Sequence, residues 1–290
     1  GLPERLAGAK VQLMDAQRKV IWEQTTPAKF SERVVLAVSE RIGDPGIAMT
    51  WIPAVVGTGK GFWMSRCEIT NEQFKKFNPA HDSRTEERHG YQFGVTGYDL
   101  DQPEQPVVRV SWDDAMAYCR WLSQKTGKRV TLPTEVQWEW ACRAGTATPF
   151  WFGDLDTDFA KFANCADTML AHFSGNPYVQ DWKAAAHKNP NKYDNWIPQD
   201  ARFNDGGFVT EPVGKYAANP WGLHDMHGNV SEWTSSDAQD GEKVVRGGSW
   251  YDRPSRCTSS FRLTYRPYQK VYNVGFRVVM EDASQDVAVR

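Results

Sequence analysis

Two acids, Asp225 and Glu232, stand seven residues apart around the turn His227-Gly228-Asn229. Such a turn exposes carbonyl oxygens beside carboxylates, the all-oxygen ligand set that hard cations such as calcium take. A second stretch able to do chemistry follows: Ser249, then Asp252, then Cys257 set among Arg253, Arg256 and Arg262. If those arginines converge they favour the Cys257 thiolate, the nucleophilic and metal-binding form; an inert thiol is the rival reading. Ser249, Asp252 and Arg253 read either as the lining of a pocket or, for the Asp and Arg, as a surface pair. His224 and His227, three apart in the glycine turn, read as a solvated loop pair rather than as metal ligands.

These residues lie in a stretch, Asn219 to Arg277, in which Gly222, Gly228, Gly247, Gly248 and Gly275 stand among crowded aromatics. Backbone must pass there where a Cβ would be in the way, so the stretch demands one particular irregular fold. Ahead of it the pattern turns regular. From Ala9 to Gln24 the pattern VQLMDAQRKVIWEQ reads as a hairpin turning at Asp15 to Lys19, and Arg33 to Ser39 as a further strand. Gly43-Asp44-Pro45-Gly46 breaks any regular element. Residues 1–46 are accordingly expected to be the end of an upstream β-module or extra strands packed on the main domain, and residues 47–290 the main domain. Met49 to Pro53 and Phe62 to Ile69 read as strands, and Val244 to Arg246 and Phe276 to Met280 as the closing ones. Thr70 with Gln73, Ser111 with Asp114 and Thr134 with Gln137 form capping boxes that start three helices. The second helix is expected to bury Ala115, Tyr118, Cys119 and Leu122 and to stop at Gly127; the third to bury Val136, Trp140 and Ala141 and to stop at Gly145. From Phe150 to Phe208 periodicity fails, yet the segment is too aromatic for disorder and reads as an ordered loop system pinned by rings.

The 290 residues are enough for one large domain or two modest ones, and 23 Gly, 16 Pro and 13 Trp point to a coil-rich globule stitched by aromatics. A net charge of −2 supplies no basic field, so nucleic acid is not an expected partner. No apolar run approaches the roughly 20 residues that span a bilayer. The five cysteines, at 67, 119, 142, 165 and 257, show no metal-like CxxC spacing and neither demand nor exclude a disulfide or two. The first residue is Gly1 and no signal-type segment follows it, from which a removed signal peptide or upstream domain is expected. An exported location, periplasmic or extracellular, is the favoured one, and the chain is read as a monomer or part of a larger modular protein.

Taken together, GFWMSRCEITNEQF, QPVVRVSWDDAMAYCRWL, RVTLPTEVQWEWACRAG, NPWGLHDMHGNVSEWT, VVRGGSW and NVGFRVV resemble the formylglycine-generating enzyme family, the sulfatase-modifying factors, from about Met49 to Met280. The resemblance implies an α+β fold, a coil-rich variant of the C-type lectin architecture with few short helices and small antiparallel sheets. It also implies two structural calcium ions. One would take the side chains of Asp225 and Glu232 and the carbonyls of Gly228 and Val230; the other Asn164, the Cys165 carbonyl, Asp205 and the Phe208 carbonyl. The segment that carries the last two, Asn204-Asp205-Gly206-Gly207-Phe208, is one glycine longer than the family's. The alternative for both sets is that the acids cap turns or pair with arginines. Active members bind copper(I) through two cysteines, three and eight residues after the serine of the Gly-Gly-Ser motif; here these positions are Asp252 and Cys257. A carboxylate with one thiolate is a poor copper(I) site, which counts against copper-dependent oxidation of a sulfatase cysteine. A tryptophan common in the family is Ser231 here, and the iron-binding histidine run of the sulfoxide-synthase branch is missing. Two functions follow from the resemblance. One is oxidative modification of a peptide-like or small polar substrate, with Cys257, Ser249 and Asp252 as catalytic candidates. The other is a non-catalytic lectin-like module that binds a peptide, a small polar ligand or a glycan on its aromatic loops.

Overall fold

The computed structural model describes residues 10–14, 20–25, 39–44, 46–54, 61–84, 100–169 and 200–281. The chain forms two compact units, Gly1–Leu36 and Ala37–Arg290. In the first, β1 (Lys10–Met14) pairs antiparallel with β2 (Val20–Thr25), giving the hairpin that the alternation implies. The strand expected from Arg33 to Ser39 lies outside the described residues but for Ser39, which opens β3.

The second unit runs β3 (Ser39–Ile42), β4 (Ile47–Ile52), β5 (Phe62–Ser65), α1 (Asn71–Lys75), α2 (Trp112–Thr126), β6 (Arg129–Thr131), α3 (Glu135–Arg143), β7 (Ser231–Asp237), β8 (Lys243–Arg246), β9 (Arg262–Tyr265), β10 (Val274–Gly275) and β11 (Val279–Glu281). A five-stranded antiparallel sheet has the order β3-β4-β5-β11-β6, and a four-stranded sheet the order β10-β7-β8-β9, with β10 parallel to β7. The fold is thus α+β and coil-rich, as the sequence implies. β3 is an edge strand of the larger sheet, so Ser39–Ile42, which precedes the Gly43–Gly46 break, belongs to this unit.

Every residue of β5 is buried because the sheet is covered on both faces. Strand residues alternate in side: Met49, Trp63 and Met280 join Ala115, Tyr118, Cys119 and Leu122 of α2 in one cluster, whereas Ile52, Phe62, Met64 and Val279 join Trp138, Ala141 and Cys142 of α3 in another. All three expected capping boxes form, and Gly127 ends α2 in the left-handed conformation. The buried face of α3 differs from the expected stripe. Val136 is 57% exposed and Trp140 half-buried, while Trp138 and Cys142 are fully buried beside Ala141. Packing against the sheet selects the i, i+3, i+4 face that lets the Trp138 indole reach Glu232, and α3 ends one residue early, with Ala144 itself left-handed. The expected strand Phe62 to Ile69 stops at Ser65, and Phe276 to Met280 narrows to β11 because Arg277 turns inward.

Arg277 is fully buried and forks onto Glu232, with Nε at 2.9 and 2.7 Å from the two carboxylate oxygens and Nη2 at 2.7 Å from Oε1. Its remaining hydrogens go to the carbonyls of Ser65, Arg66 and His224, and Trp138 Nε1 donates to Glu232 Oε2 at 2.7 Å. One ion pair therefore ties β5, α3, β7, the 224 loop and the residues that lead into β11. His227 lies near this junction, fully buried rather than solvated. Its Nδ1 donates to the Cys257 carbonyl at 2.6 Å, Nε2 accepts from Trp151 N–H at 3.3 Å, and Phe150 and Phe152 flank the ring edge-on.

Glu232→Gln leaves Arg277 buried without its counter-charge and is expected to lower the unfolding free energy by about 3–5 kcal/mol in urea denaturation. For His227, burial depresses the folded pKa from 6.5 to about 4. The neutral ring thus contributes stability that is present above pH 6.5 and lost as pH falls through 6.5 to 4, about 3 kcal/mol in all. His227→Gln is expected to flatten that part of the stability–pH curve.

Candidate functional site

Ser249, Asp252 and Cys257 do come together, and all three are buried. Gly248 makes this possible: it is left-handed (φ 68°), and a Cβ on it would lie 2.5 Å from Cys257 Sγ and 2.7 Å from the Arg256 carbonyl. Ser249 Oγ donates to Asp252 Oδ2 at 2.6 Å and accepts from Asn273 Nδ2 at 2.7 Å and from Tyr251 N–H at 3.3 Å. Burial pushes the Asp252 carboxyl up, against the pull of Ser249 and Arg256, whose Nη1 lies 3.6 Å from Oδ1. Around this cluster Trp250, Tyr251 and Tyr272 meet edge-on at 5.5–6.1 Å between ring centres, and both tyrosines are half-buried.

Cys257 Sγ faces the carbonyls of Asp252 and Ser249 at 3.7 and 3.9 Å. Two of the three arginines near it in sequence are engaged elsewhere: Arg262 with Glu135 at 3.0 Å, and Arg256 with Asp252 and over the Phe261 ring. The Cys165 thiol, for which the resemblance implied only a carbonyl role, shares a buried cluster with Cys257. The hydrogen bond to Cys257 and then burial push the Cys165 thiol well up. A copper(I) ion at the family's positions would find one thiolate and a carboxylate already bonded to Ser249 and Arg256, so residues 252 and 257 do not fit it.

Of the Asn164–Asp205 set, the two side chains are brought together. Asp205 accepts from Cys165 N–H at 2.9 Å and from Gly207 N–H at 2.7 Å, and Asn164 Nδ2 donates to the Val209 carbonyl at 2.8 Å. A Cβ on Gly207 would lie 2.9 Å from Asn164 Oδ1, 3.0 Å from Asp205 Oδ1 and 3.0 Å from the Tyr216 hydroxyl, so three oxygens converge on one small space. Burial and the Asp167 carboxylate push Asp205 up to about 7, the mark of a site short of positive charge. This donor set fits a hard cation. The half-buried Phe208 packs in the neighbouring cluster with Val209 and Val230.

The other set is rearranged. Glu232 is committed to Arg277 and Trp138, the arginine-pairing alternative. Gly228 lies against Asn164, where a Cβ would come 2.0 Å from the Asn164 carbonyl oxygen, and Val230 is fully buried. Asp225, left-handed at φ 56°, accepts from Gly214 N–H at 2.6 Å. Its Oδ1 has no donor among the described residues, and neither has Oε2 of Glu68, a buried acid whose carboxyl interacts with Asp225. Burial first and then the Asp225 charge push Glu68 well up. Sequence reasoning missed Glu68, although one acid set in the run Trp63-Met64-Ser65-Arg66-Cys67-Glu68-Ile69 was a visible signal. Asn229 links both places: Nδ2 donates to Glu68 Oε1 at 3.0 Å, and Oδ1 accepts from Asn164 Nδ2 at 3.2 Å.

A bovine inactive Cα-formylglycine-generating enzyme 2 (Bos taurus) is 33% identical over 186 residues, covering 60% of this chain and 50% of that protein, so the match spans half the relative's length. The mouse formylglycine-generating enzyme (Mus musculus) is 27% identical over 345 residues, 96% of this chain and 84% of that one. The structure of PvdO from Pseudomonas aeruginosa has the same fold, with a TM-score of 0.61 at 24% identity, over 85% of this chain and 98% of that one. Residues 44–282 match the profile of the sulfatase-modifying factor enzyme 1-like domain, and the chain belongs to that family, the formylglycine-generating enzyme family.

Proposed function

We propose that this chain is a non-catalytic, ligand-binding member of its family, which takes a peptide-like or small polar ligand at the rim of the Ser249–Asp252 cluster. The observation that carries this reading is the 2.6 Å bond from Ser249 to Asp252 inside a buried network, where active members place a second copper thiolate. What the rim offers is recognition chemistry: half-buried faces of Tyr251 and Tyr272 for stacking, a carboxylate, and the exposed Arg256 guanidinium. Oxidative modification of a peptide-like substrate is the second reading, and the thiol of Cys165 in one buried cluster with Cys257 is the observation in its favour.

We also propose calcium as a structural ion. Asn164 and Asp205 would hold one ion with the carbonyls of Cys165 and Phe208. A second would lie at Asp225 and Glu68, with Glu68 in the place expected of Glu232, because these two carboxylates carry the oxygens left without donors. An exported location suits this reading, since extracellular modules bind calcium at the concentrations found there.

Three outcomes are expected. Oxygen uptake with a cysteine-containing peptide stays at background with or without copper, and the purified protein holds no stoichiometric copper; uptake that depends on copper, or copper lost in Cys257→Ala, overturns the binding reading. The same peptide binds with an affinity that Tyr272→Ala weakens roughly tenfold, read from tryptophan fluorescence. In the absence of calcium, Asp205 is raised from 3.8 to about 7, so its contribution is present below pH 3.8 and lost as pH rises to 7. Added calcium therefore raises the melting temperature more at pH 7 than at pH 5, and Asp205→Asn removes the increment.

A further inference from the structure

We infer that Cys165 and Cys257 are a redox-active pair that closes into a disulfide, a covalent clasp between the loop at Asn164 and the segment carrying Ser249 and Asp252. The two come from distant parts of the chain, with ~90 residues between them. Both are buried in one cluster with Phe150, Phe159 and Ala163, on neighbouring stretches of backbone joined by the Ala166 N–H to Asp252 carbonyl bond.

Three backbone contacts hold the pair in register independently of the sulfurs. Asn164 bridges Gly228, and Asn229 N–H donates to the Asn164 carbonyl at 2.8 Å, which fixes the loop carrying Cys165. His227, next to that bridge, holds the Cys257 carbonyl at 2.6 Å. The Asp252 carbonyl accepts from Ala166 N–H at 3.0 Å and faces Cys257 Sγ at 3.7 Å, so one oxygen touches both partners' surroundings. Two glycines clear the space, since a Cβ on Gly228 would lie 3.0 Å from Cys165 Sγ and one on Gly248 2.5 Å from Cys257 Sγ.

The remaining cysteines are placed otherwise. Cys119 is buried in α2, Cys67 lies beside Glu68 and Asp225, and Cys142 Sγ faces His227, Ser259 and the Met226 carbonyl. Closure needs a two-electron oxidant, for which glutathione disulfide serves. One protein thiolate attacks a glutathione sulfur and expels the first glutathione thiolate. The second protein thiolate attacks the mixed disulfide and expels the second, so two reduced glutathiones, carrying the two protons, leave with one protein S–S bond formed. Because both thiols are sealed from solvent, exchange takes place as the chain folds rather than on the folded protein. Oxidation removes the S–H that Cys257 directs at the Ser249 and Asp252 carbonyls, so the pair's redox state is felt at the neighbouring cluster.

The test is to refold the whole chain from denaturant in glutathione redox buffers, quench with acid, count thiols under denaturing conditions and map disulfide-linked peptides by mass spectrometry. The expected result in oxidising buffer is three free thiols of the five, with the Cys165 and Cys257 peptides joined. The urea midpoint of the wild type then rises on oxidation, while Cys165→Ala and Cys257→Ala, each refolded alongside and checked by circular dichroism, show no redox-dependent change. Should either variant fail to fold, the wild-type peptide map decides alone. Five thiols remaining in oxidising buffer, or a link that joins Cys257 to Cys142 or Cys67, overturns the inference. It stands or falls separately from ligand binding and from calcium.

Discussion

The Glu232–Arg277 pair is the constraint on which the rest of the structure depends. A guanidinium without any solvent contact is tolerable only where every hydrogen has an acceptor, and here the acceptors come from Glu232, Ser65, Arg66 and His224. Those residues sit on a sheet strand, the loop that follows it, the glycine turn and the second sheet. Satisfying one charge therefore brings three separate stretches of chain into register around Arg277, and the Trp138 indole adds α3 to the set. The short helices and strands of this fold have too little regular hydrogen bonding to do that alone. A buried pair of this kind specifies geometry more than it adds net stability.

Next to it the backbone is organised by Asn229, which is left-handed and uses its side-chain amide on Glu68, the Glu211 backbone and Asn164, while its carbonyl accepts from Trp250 N–H. The two carboxylate-rich places and the Ser249 segment thus share one residue. Asp225 and Glu68 on one side, offset by Arg277, and Asp205 with Asp167 on the other, offset by Lys215, concentrate negative charge deep in the protein. That imbalance gives the calcium proposal its physical content: the demand comes from desolvated oxygens, not from a motif.

The cluster at Ser249 belongs to a different chemistry. Its hydroxyl links the Asp252 carboxylate to the Asn273 Nδ2, while Asn273 Oδ1 has no partner among the described residues. A metal ion or a reactive thiolate would need those groups unspent. At position 252 a carboxylate bonded to Ser249 stands where the resemblance expects a cysteine, and the rings of Tyr251 and Tyr272 meet edge-on beside it.

Much of the architecture was legible because local rules sufficed. The capping boxes at Thr70, Ser111 and Thr134, the left-handed stop at Gly127 and the hairpin from Lys10 to Thr25 each follow from residues within a few positions of one another. The six motifs carried the family, and with it the coil-rich α+β fold, the Asn164–Asp205 convergence and the approach of Ser249, Asp252 and Cys257. Tertiary structure alone decided which side of α3 faces inward, because the indole of Trp138 had to meet a carboxylate 94 residues away. It likewise committed Glu232 to an arginine, sealed His227 among phenylalanines, set Glu68 against Asp225 and gathered Cys165 and Cys257 into one buried cluster. In each case the partner lies far along the chain, so periodicity and spacing, which report only near neighbours, carried no trace of it.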